Sequence, residues 1–105
     1  MGKFVKLVVY VPQTHGEKIR RVLAGSGCGR MGKYDSCSFS VKGVGRFRPL
    51  KGSRPFVGRV GKIEKVKEER IETICPKAKL KMMLEAVRKA HPYEEPAVDV
   101  YALIL

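Results

Sequence analysis

The stretch "FVKLVVYVPQTHGEKIRRVLAG", residues 4–25, decides the fold, because a strand and a helix adjoin within it. Side chains alternate with period two from residue 3 to residue 11, as in a strand that is covered on at least one face. One side carries Val5, Leu7, Val9 and Val11, and the other carries Phe4, Lys6, Val8 and Tyr10. Pro12 ends the predicted strand.

The following residues predict a short helix. Thr14 and Glu17 have the spacing of a capping box, in which a hydroxyl and a carboxylate accept hydrogen bonds from free backbone N–H groups. The apolar stripe of this helix consists of Ile19, Val22 and Leu23. Gly25 offers a C-terminal stop, so the first quarter of the chain is predicted to be strand and helix.

A second helix and a last strand are predicted near the C-terminus. Pro76 suits the first helical position, where its missing N–H has no partner, and Pro92 ends the helix. The apolar stripe is Leu80, Met83, Leu84, Val87 and Ala90. The run "AVDVYALIL", residues 97–105, is apolar on both faces, which favours a strand near the middle of a sheet.

The middle of the chain, residues 25–62, holds nine of the eleven glycines and has little helical periodicity. Residues 37–41 and 46–49 are interpreted as two short strands that flank a tight Gly43-Val44-Gly45 turn, since glycine permits positive φ. Residues 69–75, "ERIETIC", predict a further strand. This part of the chain is therefore expected to form hairpins and ordered loops.

The order strand, helix, strand-rich middle, helix, strand predicts an α+β protein of a single domain over residues 1–105. We expect a ferredoxin-like split β-α-β sandwich with an elaborated glycine-rich hairpin region. Helices would cover one sheet face, and Phe4, Val8 and Tyr10, or the opposite set, would lie on the other. Because an open apolar face is usually buried by another chain, we expect a homo-oligomer, either a dimer or a trimer.

The net charge of +12 favours contact with nucleic acid, an anionic ligand or an acidic partner. The positive residues are scattered from Lys3 to Lys89, a distribution that equally suits a solvated surface. The apolar run over residues 4–11 is too short for a membrane span and is interrupted by Lys6. We therefore expect no membrane association.

Three cysteines, Cys28, Cys37 and Cys75, match neither a zinc motif nor a disulfide framework. Reduced thiols in a cytoplasmic protein are the expected state. The sequence predicts no cofactor.

The segment "AHPYEEPAVDVY", residues 90–101, is a candidate site. His91, Glu94 and Glu95 could bind a divalent metal or perform acid–base chemistry, since imidazole and carboxylate supply both proton states near neutral pH. A metal site needs three or four ligands, and only this segment offers them locally. The alternative is structural: the segment closes the second helix, Tyr93 packs its ring, and a glutamate binds backbone donors.

The segment "GVGRFRPLKGSRP", residues 43–55, is a candidate anion site. Backbone amides in glycine turns, together with Arg46, Arg48, Lys51 and Arg54, could bind a phosphate or carboxylate. The spacing matches neither a Walker loop nor a dinucleotide fingerprint. A hairpin with solvated arginines is the alternative.

The motifs together resemble a known family. "GKYDSCSFSVKGVGRFRPLKGSRPFVG", "EERIETICP" and "AHPYEEPAVDVY" resemble the PII-like, CutA-like module found inserted in YqfO-type proteins of the Nif-three-like family. The matching positions are Tyr34, Asp35, Cys37, Phe39, Gly43, Gly45, Phe47, Pro49, Arg70, Ile71, Glu72 and the residues from His91 to Pro96. Arg46 departs from the pattern, because members often carry a threonine there.

The resemblance implies a ferredoxin-like sandwich that assembles into small homo-oligomers, here a free-standing form that lacks the dinuclear-metal core domain. It implies no catalytic residue among the matched positions. Apart from the resemblance, Tyr34 and Cys37 are candidate ligand-binding residues that folding could bring near His91, Glu94 and Glu95; Arg46 and Arg48 complete the candidates.

Three functions follow from these observations. The first is a non-enzymatic, oligomeric regulatory or small-ligand-sensing module whose ligand the sequence does not identify, with a small anion as one candidate. The alternative is a metal-binding protein or enzyme that uses the His91, Glu94 and Glu95 segment. The third is a nonspecific nucleic-acid binder, which rests on charge alone and would bind with a steep salt dependence.

Overall fold

The computed structural model of the chain describes residues 2–104. Its strands are β1 (Phe4–Pro12), β2 (Phe39–Phe47), β3 (Glu64–Pro76) and β4 (Val98–Ala102). Its helices are α1 (Gly16–Gly25) and α2 (Leu80–Ala90), each preceded by a single 3₁₀ turn, Gln13–His15 and Lys77–Lys79. No helix within the described residues is long and apolar enough to cross a membrane.

The four strands form one antiparallel sheet in the order β2-β3-β1-β4. Each helix therefore connects two strands that have another strand between them, which is the split β-α-β arrangement. The expected α+β, ferredoxin-like fold is confirmed.

The two sides of β1 face different surroundings, as its alternation indicates. Val5, Leu7, Val9 and Val11 are buried in a core with α1 and α2, whose contributions include Ile19, Leu23, Met83 and Val87. Phe4, Val8 and Tyr10 alternate with this set and lie on the face that no helix covers, where Val8 is nevertheless fully buried. The register places the exposed Phe39, Val41 and Tyr101 on this same face.

Both helices begin differently from the sequence prediction. No side chain caps α1, and the Thr14 hydroxyl instead lies 2.8 Å from Nδ1 of His15, so the predicted capping box is wrong. Pro76 is the last residue of β3 rather than the first of α2, because a 3₁₀ turn intervenes before Leu80. The helix ends at Ala90, close to the stop predicted from Pro92.

The predicted hairpin at Gly43-Val44-Gly45 is wrong, since Phe39–Phe47 is one continuous strand paired with β3. Gly43 and Gly45 are absent from the glycines with positive φ, whereas Gly52, Gly58 and Gly61 have it. The turns of the hairpin therefore lie in the connection between β2 and β3.

The last strand lies at the edge of the sheet, not near its middle. It pairs only with β1 and ends at Ala102, while residue 105 lies outside the described residues. Val100 and Tyr101 are 39% and 47% exposed, so apolar side chains on both faces did not signal burial within this chain.

The expectation of reduced thiols is wrong for two of the three cysteines. Cys28, which follows α1, and Cys75, near the end of β3, form a disulfide across 47 positions of sequence with their Cα atoms 4.5 Å apart. Both are buried in the core, whereas Cys37 is free and partly exposed. Because the cytoplasmic prediction rested partly on reduced thiols, it loses that support and stays a prediction.

Candidate functional site

A cleft of about 420 Å³ lies between the end of β2 with the loop that follows it and the segment that joins α2 to β4. Its aromatic lining consists of Tyr10, Phe47, Phe56 and Tyr93, and its charged lining of Arg46, Arg48, Glu68, Glu94 and Glu95. Pro49, Leu50 and Pro55 complete the apolar part. This volume lies in the range of small-molecule sites, roughly 300–1,000 Å³.

The aromatic rings of the cleft pack against one another around Tyr93. The centroid of its ring lies 5.7 Å from that of Phe47 in an edge-to-face arrangement and 6.3 Å from that of Phe56. Such pairs keep ring orientations fixed and add to the stability gained by burial. The wall is thus formed by the mutual packing of two segments far apart in sequence.

His91 lies beneath this wall and is only 6% exposed. Its Nε2 lies 2.7 Å from the carbonyl oxygen of Tyr10, and its Nδ1 accepts a hydrogen bond from the backbone N–H of Tyr93 at 3.1 Å. A carbonyl can only accept, so Nε2 carries the proton and the imidazole is neutral. Burial lowers the pKa of His91, against the opposing effects of the Tyr10 hydrogen bond and the Glu68 charge.

The two adjacent glutamates lie at the rim of the cleft. Glu94 accepts a hydrogen bond from the backbone N–H of Arg54 at 2.8 Å, which ties its segment to the loop after β2. Glu95 also lines the cleft and is exposed. The segment therefore combines a structural contact through Glu94 with a solvent-facing carboxylate.

Glu68 is a charged residue of the cleft that sequence reasoning missed. Its Oε2 accepts a hydrogen bond from the Tyr93 hydroxyl at 2.8 Å. Burial, reinforced by this hydrogen bond and the carboxylate charge, raises the pKa of Tyr93 and keeps the phenol protonated as a donor. Nothing in the run "KEER" distinguishes Glu68 from a solvated glutamate, so no sequence signal was available.

Gly45 makes room for the Glu68 carboxylate. A side chain at Gly45 would collide with the carboxylate atoms of Glu68, whereas one at Gly43 would meet nothing within 4 Å. Gly45 pairs with Val66, two positions before Glu68, so Glu68 leans diagonally across β2 on the same sheet face. The glycine predicted to form a turn instead permits a close approach.

The structure brings together only part of the predicted site. Arg46, Arg48, Glu94 and Glu95 line the cleft, and His91 lies directly behind it. Tyr34 and Cys37 lie in the loop between α1 and β2, where Cys37 is tied to Thr73 of β3 through its carbonyl oxygen. At roughly 3.3 Å per strand residue, Thr73 lies about 17 Å along β3 from Glu68 of the cleft. Tyr34 and Cys37 therefore do not reach the cleft.

Within residues 2–104, no group of three or more His, Cys, Asp or Glu side chains is placed to hold a metal ion. His91 would need to lose a hydrogen bond before either ring nitrogen could bind a metal. The acid–base or metal chemistry suggested by the sequence would thus require a histidine whose two ring nitrogens are already hydrogen-bonded within the fold.

Comparison with known proteins places this geometry in context. The chain is 48% identical over 96 residues to the "GTP cyclohydrolase 1 type 2 homolog" of Bacillus subtilis, covering 91% of this chain and 26% of that protein. A solved NIF3-related protein of Bacillus cereus superimposes with a TM-score of 0.84 at 43% identity, over 97% of this chain and 26% of the other. CutA from Xylella fastidiosa superimposes with a TM-score of 0.72 at 17% identity, over 99% and 86%.

Over most of its length the chain is therefore similar in sequence to a segment of NIF3-related proteins, and its fold is that of CutA. The resemblance noted from the motifs is thereby confirmed. The chain spans about a quarter of the length of the curated relatives it matches, and the CutA likeness shows the fold alone. No protein-family model matches the chain.

The neutral His91 predicts a pH dependence of stability. The unfolded histidine takes up a proton near pH 6.5 and the folded one at lower pH, so between these values the unfolded state binds more protons. The free energy of unfolding should therefore fall as the pH drops below about 6.5, with a slope of up to about 1.4 kcal/mol per pH unit. Urea unfolding between pH 7 and pH 5 measures this slope.

Two variants assign the effect to one residue. His91→Gln should remove most of the slope, whereas His15→Gln, at the partly exposed histidine before α1, should keep it. An unchanged slope in the His91 variant would contradict a buried neutral imidazole.

The close approach at Gly45 predicts a specific effect of an added methyl group. Gly45→Ala should displace the Glu68 carboxylate and break its hydrogen bond with Tyr93, destabilising the fold by about 1–2 kcal/mol. Spectrophotometric titration of the tyrosines should show the highest-titrating phenol moving toward its ordinary pKa. Gly43→Ala, in the same strand and facing open space, is the matched control and should leave that phenol unchanged.

Proposed function

We propose that this chain is a non-enzymatic, self-associating module that senses a small ligand bound in the cleft. The observation that carries the proposal is the cleft itself: a concave, aromatic-walled cavity with five charged side chains in its lining. Sites for small organic ligands have this composition, with apolar walls and a few polar groups that fix orientation.

The polar groups of the cleft support binding rather than catalysis. A general base or nucleophile needs an activating partner and free access to the reacting atom. The His91 ring is occupied on both nitrogens, and the Tyr93 phenol is held protonated by burial and Glu68. Both groups hold the wall in place, which suits a preformed binding site.

Arg46 and Arg48 support contact with an anionic part of the ligand. Both line the cleft and both are exposed, and neither forms an ion pair within residues 2–104. Two guanidinium groups that form no ion pair with a described carboxylate are thus available to a carboxylate or phosphate of the ligand.

Self-association is supported by the open face of the sheet and by the shape of the chain. Phe39 and Val41 are 64% and 50% exposed on that face, and β2 has one unpaired edge. The molecule measures 46 × 22 × 22 Å, because β3 extends past β1 and carries β2 as an arm. Exposed apolar side chains along an unpaired strand favour contact with another copy, as a dimer or a trimer.

The metal or enzyme alternative and the nucleic-acid alternative stay predictions from the sequence. The first would require the His91 ring to leave its hydrogen bonds, and the second rests on net charge without a defined surface.

Ligand binding is tested by thermal unfolding with a panel of nucleotides, sugar phosphates, carboxylic acids and aromatic amines. A molecule that binds only the folded state raises the free energy of unfolding by about 2.7 kcal/mol at one hundred times its Kd. The melting temperature Tm rises as a result. Phe56→Ala should weaken the apparent affinity calculated from the Tm shift at least fivefold, since Phe56 lines the cleft.

Val60→Ala is the matched control for Phe56→Ala. It removes a side chain of similar exposure, 55% against 52%, from the same loop without touching the cleft. Equal losses in the two variants, or no shift with any panel member, would contradict ligand binding in this cleft.

Self-association is tested by light scattering coupled to gel filtration. The wild-type chain should have the mass of a dimer or trimer, and Phe39→Lys should reduce it, because a charge would be buried in the interface. Met82→Lys, at a 50% exposed position on α2, is the control and should leave the mass unchanged. A monomeric wild type at all concentrations would end this part of the proposal.

A further inference from the structure

The Glu68 carboxylate is only partly used by the fold. Its Oε2 accepts the hydrogen bond from Tyr93, while Oε1 has no hydrogen-bond partner within residues 2–104. Glu68 also forms no ion pair with any described lysine or arginine, although the chain carries twenty-two of them. A half-buried carboxylate that lines the cleft of a strongly basic protein thus has one oxygen without a hydrogen-bond partner among the described residues.

The surroundings hold this carboxylate in place. Gly45 lies against it where any side chain would collide, and the Tyr93 hydroxyl binds its other oxygen. Tyr93 is in turn packed on Phe47 and Phe56. Since these contacts fix the position of Glu68 before any ligand arrives, little ordering is needed when a donor binds.

The charge of the cleft differs from that of the whole chain. Three of the ten acidic residues line it, Glu68, Glu94 and Glu95, against two of the twenty-two basic ones. The cleft has an excess of one negative charge in a protein with a net charge of +12. The carboxylate that lies against the aromatic wall is Glu68, while the arginines lie at the exposed rim.

Aromatic rings next to a carboxylate favour a particular ligand chemistry. A planar group can stack on or pack edge-to-face with Phe47, Phe56 and Tyr93, and a delocalised cation gains further from the ring faces. An amidinium or guanidinium group can donate two parallel hydrogen bonds to a carboxylate. Here Oε2 of Glu68 already accepts from Tyr93, so such a group would donate to Oε1.

We propose that the cleft takes a planar aromatic molecule that carries a cationic N–H donor group, with that group directed at Oε1 of Glu68. The inference rests on the proposed function of the cleft as a small-ligand site and names the class of ligand. The rim arginines then contact any anionic substituent at the opposite end of the molecule, so the ligand enters with its cationic end first.

Benzamidine and benzoate test this orientation, because they have nearly the same shape and opposite charge. Calorimetric titration at low salt should give at least tenfold tighter binding of benzamidine than of benzoate to the full chain. Glu68→Gln should weaken benzamidine at least tenfold, while it retains an acceptor for the Tyr93 hydroxyl. Glu64→Gln, on the same strand outside the cleft, should change neither affinity.

The outcomes separate this inference from the function on which it rests. Equal or tighter binding of benzoate, or unchanged benzamidine affinity in Glu68→Gln, overturns the assigned ligand class while other panel molecules can still occupy the cleft. Benzamidine affinity that falls as the protein concentration rises would show that a side chain of a second copy fills the cleft, which also overturns it. Failure of both probes and of the whole panel overturns the proposed function as well.

Discussion

The antiparallel pairing of β1 with β3 is the constraint on which the rest of the structure depends. Its register runs without a break from Phe4 opposite Pro76 to Pro12 opposite Glu68. A slip of one residue would turn the whole Val5 to Val11 set from the helices to the open face, so the register fixes both the core and the exposed surface. The same register places Glu68 at the end of β1, where the cleft begins.

The unequal lengths of these two strands explain the elongated shape. β3 has 13 residues and β1 has nine, so the first residues of β3 pair with β2 alone. The helices cover the part of the sheet built on β1, and the two-stranded part extends beyond them. The two-stranded part has little core of its own. The loop at its end carries one wall of the cleft, and this wall is held by the packing of Phe47 on Tyr93 and by the hydrogen bond from the Arg54 N–H to Glu94.

The periodicity of residues 4–11 and 80–90 sufficed to predict β1, its two faces and α2, because burial against a neighbouring layer imposes these periods. Glycine and cysteine carried no comparable information. Gly45 and Gly52 look alike in sequence, yet one permits the approach of a carboxylate and the other a positive φ. Cys28 and Cys75 meet only because α1 returns the chain to the end of β3, which local patterns do not encode.

The segment from His91 to Glu95 shows why its function could be read only in part. Its residues have three different roles, which follow one another in sequence order. His91 is buried and holds the segment to β1, Tyr93 joins the wall to Glu68, and the glutamates reach the rim. Sequence reasoning could detect a histidine near two carboxylates, but not that the imidazole is buried and hydrogen-bonded to β1 while the carboxylates lie at the cleft. The carboxylate that completes the cleft came instead from β3, at a position fixed by strand register and not by proximity in the chain.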